Sequence, residues 1–113
     1  MRDLTDEILE LIRLTSSSLP PDVEARLRAA VEKEQPGSAA RGALETILQN
    51  VELSRANSTP ICQDTGIAVV FLKVGMNVQW DAKMSVQDMI DEGVRRAYNH
   101  PDNKLRASVL EDP

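Results

Sequence analysis

Apolar positions in the first half of the chain recur at helical spacing and fall into three groups separated by turn-forming residues. Leu4, Ile8, Leu11 and Ile12 share one face after Thr5, a residue suited to an N-cap, and Leu4 and Leu9 stand at the N′ and N4 positions of a hydrophobic staple. Ser16-Ser17-Ser18-Leu19-Pro20-Pro21 breaks this pattern. Pro21 and Asp22 then suit a helix start, because the N–H that proline lacks has no partner there in any case. Val23, Leu27, Ala30 and Val31 give this second helix one apolar stripe. After Gln35-Pro36-Gly37-Ser38, the stripe of Ala40, Ala43, Leu44, Ile47, Leu48 and Val51 predicts a third helix running to about Arg55.

The period then changes. Asn57-Ser58-Thr59-Pro60 ends the third helix, since the proline ring disfavours helical backbone at Thr59. A loop of mixed chemistry follows, Ile61-Cys62-Gln63-Asp64-Thr65-Gly66, leading into Ile67-Ala68-Val69-Val70-Phe71-Leu72-Lys73-Val74. That continuous β-branched and apolar run predicts a strand buried on both faces, stopped by Gly75, and Asn77-Val78-Gln79-Trp80 is compatible with a second, short strand. Ser85 and Asp88 then form a capping-box pattern ahead of Val86, Met89, Ile90, Gly93, Val94, Ala97 and Tyr98, the clearest helical stripe in the sequence. Asn99-His100-Pro101 ends that helix, and the pattern from Lys104 to Leu110 leaves helix and strand both open. The predicted fold class is therefore α+β and mostly helical: three N-terminal helices, a cysteine loop entering a buried strand, and a further amphipathic helix. We expect one domain over residues 1–113, with a helical lead over 1–57 and the cysteine loop, strand and last helix over 58–113.

Composition narrows the function. At 113 residues the core is modest, and an aromatic content of 3% leaves it to aliphatic side chains and provides little for base stacking. A formal net charge of -5 disfavours nucleic acid and anionic membranes as partners. The N-terminus is acidic with no signal-peptide core, and no apolar run approaches the roughly 20 residues of a membrane span, so the cytoplasm is the expected location. The single cysteine forms no internal disulfide and cannot by itself complete a zinc or iron–sulfur site.

That cysteine is where chemistry is expected. A single cysteine in a globular protein is most often a small buried hydrophobe, but Cys62 falls in a loop beside Gln63 and Asp64 rather than in an apolar stripe. Asp64-Thr65-Gly66 reads equally as an ordinary turn. Arg106, between Leu105 and Ala107-Ser108-Val109, is a guanidinium in an apolar setting that needs an anionic partner, with a surface ion pair as the alternative. His100 is most simply part of a helix stop.

Taken together, Ile61-Cys62-Gln63-Asp64-Thr65-Gly66, the apolar run after it, and Asn103-Lys104-Leu105-Arg106-Ala107-Ser108-Val109 with Asp112-Pro113 resemble the class I iron–sulfur fumarase family. The match is to the N-terminal part of its alpha subunit, and the L(+)-tartrate dehydratase alpha subunit is similar nearly as closely. The resemblance implies a hydro-lyase with a [4Fe-4S] cluster held by three cysteines, of which Cys62 is one. It further implies that Asp64 is catalytic through proton transfer, that Gln63 hydrogen-bonds substrate, and that Arg106 grips a substrate carboxylate. Fumarate and malate are the implied pair, with tartrate as the alternative. The other two cluster cysteines lie downstream of the Asp-Pro pair in the family. The chain is accordingly expected to be a piece that works only with a beta subunit or C-terminal domain, in an oligomer. A reading from another class remains open, a non-catalytic interaction module whose helices bury against a partner and whose Cys62 is inert.

Overall fold

The computed structural model describes residues 2–62, 67–101 and 105. Four helices appear among them: α1 (Thr5–Ser17), α2 (Pro21–Val31), α3 (Ala39–Asn57) and α4 (Val86–Asn99). The chain divides into two compact units, Met1–Ile12 with Gln63–Pro113, and Arg13–Cys62. No described helix is long and apolar enough to cross a membrane.

Helix starts follow local chemistry. Pro21 occupies the first turn of α2, where its missing N–H leaves no bond unmade. The Ser38 side chain caps α3 by accepting the Arg41 N–H at 3.1 Å. In α4 the capping box is complete: Ser85 Oγ accepts the Asp88 N–H at 3.1 Å, and the Asp88 carboxylate accepts the Ser85 N–H at 3.3 Å. The cap of α1 differs from the expected one. Thr5 is the first helical residue and is buried, and the Asp3 carboxylate accepts both its N–H, at 2.9 Å, and its hydroxyl, at 2.6 Å. These two bonds hold the Asp3 carboxyl below its ordinary pKa.

In the first unit the start of α1 lies against α4. The Leu4 N–H points to the Met89 sulfur at 3.4 Å, Met89 and Ala97 are buried, and Arg96 reaches Asp6 at 3.2 Å. The closest approach is at Gly93: a Cβ there would stand 2.6 Å from Ile8 Cγ2, 2.8 Å from Ile8 Cβ and 3.1 Å from the Thr5 carbonyl oxygen. Only a residue without a side chain lets the two elements meet so closely. In the second unit, Val31 of α2 and Leu48 and Val51 of α3 are buried. Outside that core, Glu24 joins Arg28 and Arg55, and Arg28 also reaches Glu52 at 2.8 Å, tying α2 to α3.

The α+β class is corrected. Residues 67–74, which the pattern predicts to be a strand buried on both faces, form no strand, and Ile67 and Phe71 are 92% and 93% exposed. Among the described residues all repeating structure is helical. The reason is that β-branched residues favour a pleated surface only where neighbours pack on it, and a strand's backbone groups need a partner strand. No other described segment supplies one. The possible short strand at 77–80 is likewise absent: the Val78 N–H closes a turn onto the Gly75 carbonyl at 3.2 Å, and the Trp80 indole donates to the Met84 carbonyl at 3.3 Å.

The contact between α1 and α4, and the ion pairs along α4, each lead to a test. Alanine gains about 1 kcal/mol over glycine in helix propensity, but the Gly93→Ala methyl must displace the stiff Cβ of Ile8, and overpacking costs roughly 1–3 kcal/mol. Urea unfolding should show Gly93→Ala less stable than wild type; equal or greater stability would contradict the close approach. On the outer face, Glu92 accepts from Arg95 at 2.7 and 2.8 Å and from Arg96 at 2.6 Å. These arginines, Arg95 first, pull the Glu92 carboxyl from its ordinary 4.5 down to about 2. A carboxyl whose pKa is depressed in the folded state adds stability that is present above 4.5 and lost as pH falls toward about 2. The thermal midpoint of Glu92→Gln should therefore fall below wild type at neutral pH and low salt, and the difference should close across that acidic window. A difference that persists unchanged to the bottom of the window would refute the ion-pair origin.

Candidate functional site

The one cysteine is placed by the ends of two helices. Helix α3 stops at Asn57 because Ser58 turns left-handed, at φ 53° and ψ 40°, and the Ser58 and Thr59 N–H groups both donate to the Ser54 carbonyl. This reversal sends the chain back along α3. The Ile61 N–H then donates to the Ser16 carbonyl at 2.9 Å, filling one of the acceptors that the last turn of α1 leaves without a helical partner. On the other side of the same residue, Asn50 Nδ2 of α3 donates to the Ile61 carbonyl at 2.8 Å. The buried Ser54 hydroxyl approaches the Pro60 carbonyl at 3.4 Å. The backbone just before the cysteine is thus tied to α1 through a main-chain group and to α3 through side chains.

Cys62 itself is a free, exposed thiol. Gln63, Asp64 and Arg106, the other residues singled out by sequence, lie outside the described residues. His100 stands as the extended residue closing α4, at φ -64° and ψ 139°, in keeping with its reading as part of a helix stop. Among the described residues no group of three His, Cys, Asp or Glu side chains is arranged to hold a metal ion.

Sequence reasoning missed Asn50, Ser54 and Ser16. Ser54 did leave a signal, because it occupies the next position of the Leu48 and Val51 face yet is polar, and a buried hydroxyl needs an acceptor. Asn50 stands one turn before it.

A groove of about 550 Å³ lies between α2 and α3, lined by Arg28, Val31, Arg41, Glu45, Leu48 and Glu52 among others. Its two arginines are already engaged, Arg28 with Glu24 and Glu52, and Arg41 with Glu45 and the carbonyls of Val31 and Glu34. With three carboxylates, those of Glu32, Glu45 and Glu52, against two guanidinium groups on its walls, the groove offers no surplus positive charge for an organic acid.

What the fold and site define is a helical frame that presents one thiol from an anchored loop. Residues 5–113 match the family described as Fumarate hydratase (Fumerase), and the chain belongs to that family. It is 35% identical over 94 residues, 83% of this chain and 33% of the relative, to a Methanocaldococcus jannaschii protein provisionally named L(+)-tartrate dehydratase subunit alpha. It is 31% identical over 111 residues, 98% of this chain and 21% of the relative, to a Geobacillus stearothermophilus protein provisionally named fumarate hydratase class I. The chain thus spans about a third and about a fifth of the lengths of these two curated relatives.

An iron–sulfur cluster, the cofactor that the sequence resemblance implies, can be tested against the donor chemistry here. A thiol is the ligand such a cluster takes. Cys62 has no disulfide partner and is exposed, so its sulfur is open to a metal. The described residues fit the role of supplying one thiolate, not of enclosing a cluster.

Proposed function

We propose that this chain is one part of an iron–sulfur hydro-lyase that reversibly hydrates fumarate to malate. The observation that carries this reading is the family match across residues 5–113, within which the only cysteine sits on a doubly anchored loop. When bound, a [4Fe-4S] cluster supplies a Lewis-acidic iron that eases departure of a hydroxyl group. The rest is the work of side chains. Cys62 contributes one thiolate to hold the cluster. Asp64 moves the proton through a carboxylate oxygen, and Gln63 orients substrate through its amide. Arg106 binds a substrate carboxylate, where a planar bidentate donor gives both strength and direction.

With a single cysteine, this chain leaves the remaining cluster ligands to other sequence. The assembled enzyme therefore includes a beta subunit or a C-terminal domain, in an oligomer, in the cytoplasm. A second reading within the same chemistry is dehydration of L(+)-tartrate, favoured by the relative that bears that name. Both acids present carboxylates to Arg106, so turnover of malate and tartrate side by side separates the two.

In the assembled, anaerobically prepared enzyme, Cys62→Ala should lose both iron and hydration activity. Retention of the full iron content would remove Cys62 from the ligand set. Arg106→Ala should weaken use of dicarboxylates by on the order of tenfold or more, as expected for a lost charged hydrogen-bond pair, while iron content stays at the wild-type value. Unchanged kinetics on every acid tried would take Arg106 out of the pocket.

A further inference from the structure

We infer that Asn50 is a positioning residue for Cys62, setting the direction in which its sulfur leaves the loop. This rests on the reading of Cys62 as a cluster ligand. The Ile61 carbonyl and the Cys62 nitrogen belong to one planar peptide unit, so the 2.8 Å bond from Asn50 Nδ2 to that carbonyl fixes the plane from which the cysteine projects. The preceding peptide plane is held as well, by the Ile61 N–H on the Ser16 carbonyl at 2.9 Å. Two consecutive peptide planes held from opposite ends leave little backbone freedom ahead of the thiol.

Asn50 has no local reason to be where it is. Asparagine is a poor residue for a helix interior, because its side chain competes for backbone groups. Here it is exposed, in the body of α3, and its amide reaches a carbonyl eleven residues away rather than its own helix. A carbonyl can only accept, so the bond requires the amide nitrogen and a donor at this position. Asn50→Asp keeps the shape but removes the donor, and Asn50→Ala removes the group. Because Asn50 is exposed, neither change opens a hole in the core.

A thiolate ligand held at a fixed angle keeps its iron longer than one on a loose loop, since supporting interactions that orient metal ligands commonly alter affinity by on the order of tenfold. The test uses the assembled, iron-loaded enzyme and follows the visible absorption of the cluster as it bleaches in air, with iron content and thermal midpoint measured on the same samples. Asn50→Ala and Asn50→Asp should bleach roughly three- to tenfold faster than wild type. Gln49→Ala, at an exposed α3 position one residue away that faces the groove with α2 instead of the loop, should bleach at the wild-type rate. A purely structural tether would lower the thermal midpoint and leave the bleaching rate of the folded enzyme alone, and that result overturns the inference. If the wild-type complex holds iron but Cys62→Ala holds as much, the ligand reading fails first and the inference with it. If wild type and Asn50→Ala bleach alike while Cys62→Ala holds no iron, the inference alone fails.

Discussion

The site depends on one residue, Ile61, whose N–H and C=O are both taken by helices. Its N–H completes the end of α1 and its C=O is held by α3. Each bond is modest, with a net contribution of about 1 kcal/mol. Their value lies in geometry. A chain leaving α3 through a left-handed serine has many directions open to it, and these two bonds select one. The described end of the loop, Ile61 and Cys62, is therefore positioned by regular structure.

The same economy runs through the rest of the chain. Few side chains are fully buried among the described residues, and the contacts that matter are short and specific rather than extensive. In one unit, Gly93 admits Ile8 and Thr5 of α1. In the other, Glu24 gathers Arg28 and Arg55 beside the small apolar core of α2 and α3. The arginines beside Glu24, Arg55 first, hold its carboxyl below the usual carboxylate range. That cluster stays charged through the neutral range but is screened by salt. With so little buried, a single methyl at Gly93 disturbs a large share of one unit's packing.

Helices were legible in the sequence because their signals are local. Pro21, Ser38 and the Ser85 and Asp88 pair mark helix starts in the structure, and Met89, Gly93 and Ala97 of the α4 stripe are buried. Asp3 and Thr5 are both good capping residues, and in the structure the Asp3 side chain accepts from Thr5, which begins the helix instead of capping it. The strand at 67–74 failed for a different reason. Its propensity is clear, but a strand is defined by a partner, and one segment's composition carries no information about whether a partner is present. The site was half legible: the cysteine loop stands out as a cluster of reactive residues, whereas its anchors lie up to 46 residues away from Cys62 and show only as polar residues on helices. Gln63, Asp64 and Arg106 lie outside the described residues, so the roles proposed for them rest on the sequence resemblance.

A helical frame, an anchored loop and an open thiol together suit a chain that brings one metal ligand to a site completed by other sequence. Membership of the fumarate hydratase family supports the hydro-lyase chemistry proposed for it. The central claim is that the Cys62 sulfur is bound to iron in the working enzyme. It is tested most directly by alkylating the assembled protein under anaerobic conditions, before and after iron is stripped, and measuring Cys62 modification by mass spectrometry. Protection of Cys62 in the loaded enzyme and rapid modification after stripping is the predicted result; equal modification in both states would contradict it.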